Sequence, residues 1–163
     1  MRARAERSRF FARWQDAEKL HLTLKFLGWV APDAIAPLWQ MATAAIADAA
    51  PIDARVSELS AFPSTRRARV LIAAIGDPAG AISGLAAQLE SGAEALGILR
   101  EDRTFRAHVT LARIPRPGDV KKLIEAAEFE PLSLRLDELR LYRSELTRET
   151  SFYSVLERAP LRG

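Results

Sequence analysis

Two hydrophobic periods alternate along this chain. Residues 20–27, LHLTLKFL, put an apolar side chain at every second position, the period of a half-buried strand. Gly28 ends that run, and Pro32 with Asp33 opens an alanine-rich helix to about Ala50, Asp33 serving as its cap or first-turn acid. Ile52 to Phe62 alternates again and stops at Pro63 and Ser64. Residues 69–75, RVLIAAI, are mostly apolar, as a strand covered on both faces is, and they end at Gly76-Asp77-Pro78. Ile82, Leu85, Leu89 and Leu96 fall at helical spacing within 79–97. Further strands are predicted at 105–114, 132–142 and 151–156, with a short helix over 117–127 that turns Leu123 and Ile124 inward.

The pattern also repeats. HLTL at 21–24 returns as HVTL at 108–111, and each is followed by a helix and then by similar strands, IDARVSELSAF at 52–62 and LSLRLDELRLY at 132–142. This predicts one domain, residues 1–163, built of two similar lobes about a pseudo-two-fold axis, the second half beginning near residue 69. The halves are unequal at their starts. A strand and a helix precede His108, whereas only 20 residues precede His21. Arg2 to Trp14 reads as what remains of that helix, so the first lobe is expected to lack its opening strand and to leave a sheet edge open.

Composition narrows the chemistry. The chain has 163 residues, 48% of them hydrophobic, which supports a core without staples. It has no cysteine, which excludes disulfides, thiolate zinc sites and cysteine nucleophiles. No apolar run approaches the ~20 residues of a membrane helix. The start, MRARAERSRF, has no hydrophobic segment behind it and does not read as a secretory signal, so a cytoplasmic enzyme with no membrane partner is expected. The net charge is only +3, but arginines cluster at 2–13 and again at Arg66, Arg67 and Arg69. Guanidinium groups suit phosphate.

The two histidines, His21 and His108, each begin an H-x-T-L string. On a strand, histidine and the threonine two residues on share a face, while Leu22 and Leu24, or Val109 and Leu111, turn to the core. Each half therefore offers an imidazole beside a hydroxyl. In-line displacement at phosphorus needs a base for the attacking oxygen and an acid for the leaving one. Two imidazoles, with an ordinary pKa of ~6.5, supply both near neutrality. Thr23 and Thr110 can donate to the non-bridging phosphate oxygens. Two histidines fall short of a metal-ligand set, so no metal and no cofactor are expected. A P-loop and a Rossmann glycine fingerprint are both missing.

LHLTLKFLG at 20–28 and FRAHVTLAR at 105–113 resemble the paired signatures of the two-histidine phosphoesterase superfamily, and within it the RNA 2′,3′-cyclic phosphodiesterases, historically called 2′-5′ RNA ligases. AFPSTRRARVLIAAIG at 61–76 and LYRSELT at 141–147 extend the likeness. Ala107 stands where the family usually has proline. The resemblance implies a bilobed α+β fold, two antiparallel sheets with flanking helices around a central cleft. It implies metal-independent opening of an RNA 2′,3′-cyclic phosphate to a 2′-phosphate end; a monomer is expected. His21 would protonate the leaving 3′-oxygen, His108 would activate water, and Thr23 and Thr110 would hold the phosphate. The alternatives are 2′-5′ RNA joining or cyclic-nucleotide hydrolysis at the same site, and a non-catalytic RNA-binding module.

Lys25 shares the His21 face by parity and is a further phosphate candidate. Arg113 matches the family signature, but parity sets it opposite His108 unless the strand bulges. Phe105, Tyr142 and Phe152 are candidates for base stacking, Arg66, Arg67 and Arg69 for steering RNA, and Ser144 for the cleft edge.

Overall fold

The computed structural model describes residues 11–127, 129–146 and 151–162. In chain order the elements are β1 (Arg13–Trp14), α1 (Ile35–Ala45), β2 (Ile52–Phe62), β3 (Ala68–Gly76), α2 (Ala81–Ala95), β4 (His108–Gly118), α3 (Lys121–Glu125), β5 (Ser133–Leu136), β6 (Glu138–Leu146) and β7 (Ser151–Pro160). They form a five-stranded sheet, β1-β4-β3-β2-β5, and a two-stranded sheet, β6-β7. The mixed architecture with two sheets is the one expected. Among the described residues no helix is long and apolar enough to cross a membrane.

The chain divides into two compact units, each drawn from three segments. The first comprises Met1–Thr23, Ala54–Gly76 and Arg106–Leu134. Within it β3 pairs antiparallel with β2 on one side and β4 on the other, and β1 pairs antiparallel with β4. One sheet face buries Ala61, Leu71, Ala112 and Ile114 together with Ala68 and Val120, and Trp14, Leu111 and Ile124 pack against them.

The second unit comprises Leu24–Asp53, Asp77–Phe105 and Arg135–Gly163. Its core joins Ile46, Leu85, Leu89 and Leu161, with Leu24, Met41 and Leu139 against them. Gly92 of α2 lets α1 approach, since a Cβ there would lie 2.5 Å from the Met41 Sδ. Asp77 closes the start of α2: its carboxylate accepts the Ile82 N–H at 3.1 Å, the Ser83 N–H at 2.8 Å and the Ser83 hydroxyl at 2.7 Å. Burial opposes the charge, yet the Ser83, Ile82 and Ala81 donors together hold the Asp77 carboxyl below its ordinary pKa. Asp77→Ala is expected to lower stability by about 1 kcal/mol, read from the urea midpoint.

Several sequence expectations are corrected. Residues 20–27 do not form a strand. The backbone is extended at Leu20, but only Leu22 finds a ladder partner, Val109. The partner strand begins at His108, and the next position along its edge is taken because the Leu111 carbonyl accepts the Gln15 N–H at 2.9 Å. Arg13 and Trp14 form a strand where a helix end was expected; pairing with Arg113 and Ala112 covers that stretch of the β4 edge and brings Trp14 to the core. The rest of the expected helix, residues 2–10, lies outside the described residues.

The run 132–142 divides at Asp137 into β5 and β6, which belong to different sheets. The helix expected over 117–127 shortens to Lys121–Glu125, because β4 continues to Gly118 through Pro115 and Pro117, whose fixed φ suits extended backbone. The helix opened by Pro32 begins with a 3-10 turn, Pro32–Ala34, and its α-helical part ends at Ala45.

Candidate active site

The two H-x-T strings lie side by side within the first unit. Leu22 faces Val109 in an antiparallel bridge. That register puts His21 opposite Thr110 and Thr23 opposite His108. Side chains alternate along extended chains, so these four share the face away from Leu22 and Val109. Directly opposed Cβ atoms in such a pair are ~4.5–5.5 Å apart, and diagonal neighbours about 7–8 Å or less. The diagonals are imidazole to imidazole and hydroxyl to hydroxyl. A tetrahedral group resting on this square meets a histidine at two opposite corners and a threonine at the other two.

Both rings are held alike. The Nδ1 of His21 lies 2.8 Å from the Lys19 carbonyl oxygen, and the Nδ1 of His108 lies 2.7 Å from the Arg106 carbonyl oxygen, in each case two residues back. A backbone carbonyl only accepts, so Nδ1 carries the hydrogen in each ring. Nε2 is thereby the atom that takes up and releases a proton.

A bulge brings in Arg113. Ala74 faces His108 and Ile72 faces Thr110, but Leu71 faces Ala112, leaving Leu111 as the extra residue of β4. The next pair is Val70 with Arg113. Since Val70, Ile72 and Ala74 alternate regularly on β3, Arg113 joins His108 and Thr110 on one face. This is the condition under which the sequence allowed Arg113 to reach a phosphate. Arg13 sits directly across from Arg113 and shares that face.

His108 has a second brace. Its ring meets the Phe62 ring edge-on, with centroids 5.0 Å apart and planes at 84°. The Arg106 guanidinium carbon lies 5.4 Å from the Phe62 centroid. Arg106 therefore binds the histidine through its backbone and covers the aromatic neighbour with its side chain. Sequence reasoning missed Phe62 and Arg106. One signal was present: a basic residue stands two positions before each histidine, Lys19 and Arg106.

The remaining candidates are placed as follows. Lys25 is in the second unit, its ammonium donating to the Glu90 carboxylate and to the Leu99 carbonyl. Arg66 and Arg67 are exposed in a 3-10 turn, Thr65–Arg67, and Arg69 is exposed on β3. Phe105 is half-buried in the segment before β4. Tyr142 meets Tyr153 edge-on at 6.2 Å, and its hydroxyl accepts from Arg140. Ser144 is exposed on β6. The side chain of Phe152 lies outside those described. Among the described residues no three His, Cys, Asp or Glu side chains gather as a metal site.

An H-x-T string on a sheet strand with a second bridged beside it fits a class of enzyme, and the comparisons with known proteins agree. The model of the 2′-5′ RNA ligase superfamily matches residues 2–148, and the chain belongs to that family. It is 32% identical over 143 residues to the RNA 2′,3′-cyclic phosphodiesterase of Aeropyrum pernix, spanning 85% of this chain and 80% of that protein. The crystal structure of TT0787 of Thermus thermophilus matches with a TM-score of 0.76 and 29% identity, over 93% of this chain and 83% of the other. The structure of E. coli LigT complexed with 3′-AMP matches with a TM-score of 0.72 and 26% identity, over 96% and 87% of the two chains.

Proposed function

We propose that this protein hydrolyses the 2′,3′-cyclic phosphate at an RNA end, leaving a 2′-phosphate, by acid–base catalysis between His21 and His108. The observation that carries the reading is the Leu22–Val109 bridge, which sets both imidazoles and both hydroxyls around one small patch. The cyclic phosphate rests on the square. Nε2 of His108 takes a proton from water as its oxygen attacks phosphorus. The P–O3′ bond breaks on the far side, and Nε2 of His21 gives its proton to the departing 3′-oxygen. The product has a 2′-phosphate and a free 3′-hydroxyl, and one proton exchange between the rings and solvent resets the pair. Thr23, Thr110 and Arg113 donate to the phosphate oxygens, where charge builds in the transition state. Lys25 enters this reading as a structural ion pair rather than a phosphate ligand.

The test is an oligonucleotide ending in a 2′,3′-cyclic phosphate, incubated with the protein in excess chelator. Full turnover with the phosphate mapped to the 2′ position is expected. Loss of turnover in chelator, a 3′-phosphate product, or binding without hydrolysis would each overturn the reading.

Phe62 is a positioning residue in this scheme. Phe62→Leu keeps apolar volume but removes the flat edge against His108. A fall in kcat of about tenfold with KM little changed is expected, measured by steady-state kinetics on the same oligonucleotide. An equal rise in KM would instead make Phe62 a ligand for substrate.

A further inference from the structure

The face that carries the H-x-T square continues for one more row. Along β4 the order is His108, Thr110, Arg113, and along the facing chain it is Thr23, His21, Arg13. The facing segments run along the same edge of β4. Arg13 pairs with Arg113, Trp14 with Ala112, the Gln15 N–H meets the Leu111 carbonyl, and after a 3-10 turn at Ala17–Lys19 the chain returns at Leu22 to face Val109. Rows two residues apart on a strand are separated by about 7 Å. The arginine row thus lies one step beyond His21 and Thr110, on the side away from His108.

Arg13 and Arg113 are exposed, Arg113 makes no ion pair with any described residue, and guanidinium pairs match phosphate oxygens in a bidentate manner. The direction of the reaction determines which phosphate arrives there. Water attacks from the His108 side and the 3′-oxygen leaves on the His21 side. The ribose holds phosphorus through both O2′ and O3′, but C4′ and the 5′-oxygen are joined to it through C3′, so in the proposed orientation the upstream phosphodiester extends toward the His21 side.

We propose that Arg13, across from Arg113, forms a second anion subsite that takes the internucleotide phosphodiester immediately upstream of the cyclic phosphate. The inference rests on the proposed reaction and its direction. The subsite makes the enzyme select oligonucleotide ends over cyclic mononucleotides, because a nucleoside 2′,3′-cyclic phosphate has no upstream phosphodiester. Arg113 serves both rows, whereas Arg13 belongs to the second.

The test compares kcat/KM for a dinucleotide ending in a 2′,3′-cyclic phosphate with kcat/KM for the matching cyclic mononucleotide. The ratio is taken for the natural protein, for Arg13→Gln and for Arg13→Lys. Arg13→Gln is expected to lower the ratio at least about tenfold, the size of one charge-assisted contact. Arg13→Lys, which keeps the charge but not the fork, should fall in between. The slope of log kcat/KM for the dinucleotide against log salt should flatten by about 0.7 in Arg13→Gln, as for one lost phosphate contact on a single strand. Equal losses on both substrates, or an unchanged ratio and slope, would overturn the subsite. Failure of the natural protein to hydrolyse either substrate would instead overturn the reaction itself. A circular dichroism melt separates a misfolded variant from a selective one.

Discussion

Replacing His108 by alanine is expected to lower kcat on a cyclic-phosphate oligonucleotide by about 10²–10⁴-fold, and replacing His21 should do the same. In the proposed reaction each ring contributes a proton transfer at one end of the same displacement, and water does not substitute well for a group held in place. The Lys19 and Arg106 carbonyls fix Nε2 as the nitrogen available for that transfer. His21 and His108 are only half-buried, and thermal unfolding should move little. Asparagine at either position keeps a polar group but no proton exchange near neutrality, and it should be as inactive as alanine. Rate measurements at saturating substrate, with a melt on the same samples, check this. A variant that retains more than about a tenth of the rate would remove that histidine from the chemistry.

The largest expected effect on stability is at Lys25 and Glu90. Their side chains are 6% and 16% exposed, and the ammonium is 2.5 Å from the carboxylate and 3.0 Å from the Leu99 carbonyl. Glu90 also accepts the Glu101 N–H at 3.0 Å, so the pair ties α2 to the segment that follows it. Lys25→Met leaves a carboxylate shielded from water without its cation, and a loss of about 3 kcal/mol is expected. That corresponds to a fall in Tm of about 6–12 °C for a chain of this size. Converting both partners, Lys25→Met with Glu90→Leu, should recover much of the loss, because two apolar side chains in place of a shielded ion pair leave no charge unpaired.

The same pair sets a pH dependence. The Lys25 hydrogen bond, outweighing the opposing effect of burial and assisted by the Glu101 N–H, holds the Glu90 carboxyl below its ordinary pKa. A carboxyl whose folded pKa is depressed contributes stability that is present above its unfolded value, ~4.3, and lost as pH falls through the folded one. The natural protein should therefore lose stability on acidification below about pH 4.3, and Lys25→Met should lose less over that range. Urea midpoints at pH 7 and pH 3.5 measure the difference. A Lys25→Met protein as stable as the natural one at both would show that the ion pair contributes nothing.

Much of this was legible in the sequence. Period-2 and period-3.6 patterns located most elements, and Ile52–Phe62 has the bounds read from its alternation. The paired H-x-T strings, on which the proposed site rests, stood out because spacing along a strand is short-range information. Other features depended on pairing between distant segments. A single extra residue at Leu111 reverses the parity of everything after it on β4, and no local pattern announces it. Lys25 obeys the parity that makes it look like a neighbour of His21, yet its ammonium meets a glutamate 65 residues away. The strand character of 20–27 failed for a related reason. Alternation describes what an extended chain shows to its two faces, while a ladder also needs free partners, and β4 offers Leu22 only one.

The convergence of both imidazoles on one phosphoryl group is tested most directly by a crystal structure with a nucleoside 2′-phosphate bound. The Nε2 atoms of His21 and His108 should each lie within hydrogen-bond distance of a different oxygen of the same phosphate, with the Thr23 and Thr110 hydroxyls on the remaining ones. A phosphate seated against one imidazole alone, or bound away from both, would contradict the account.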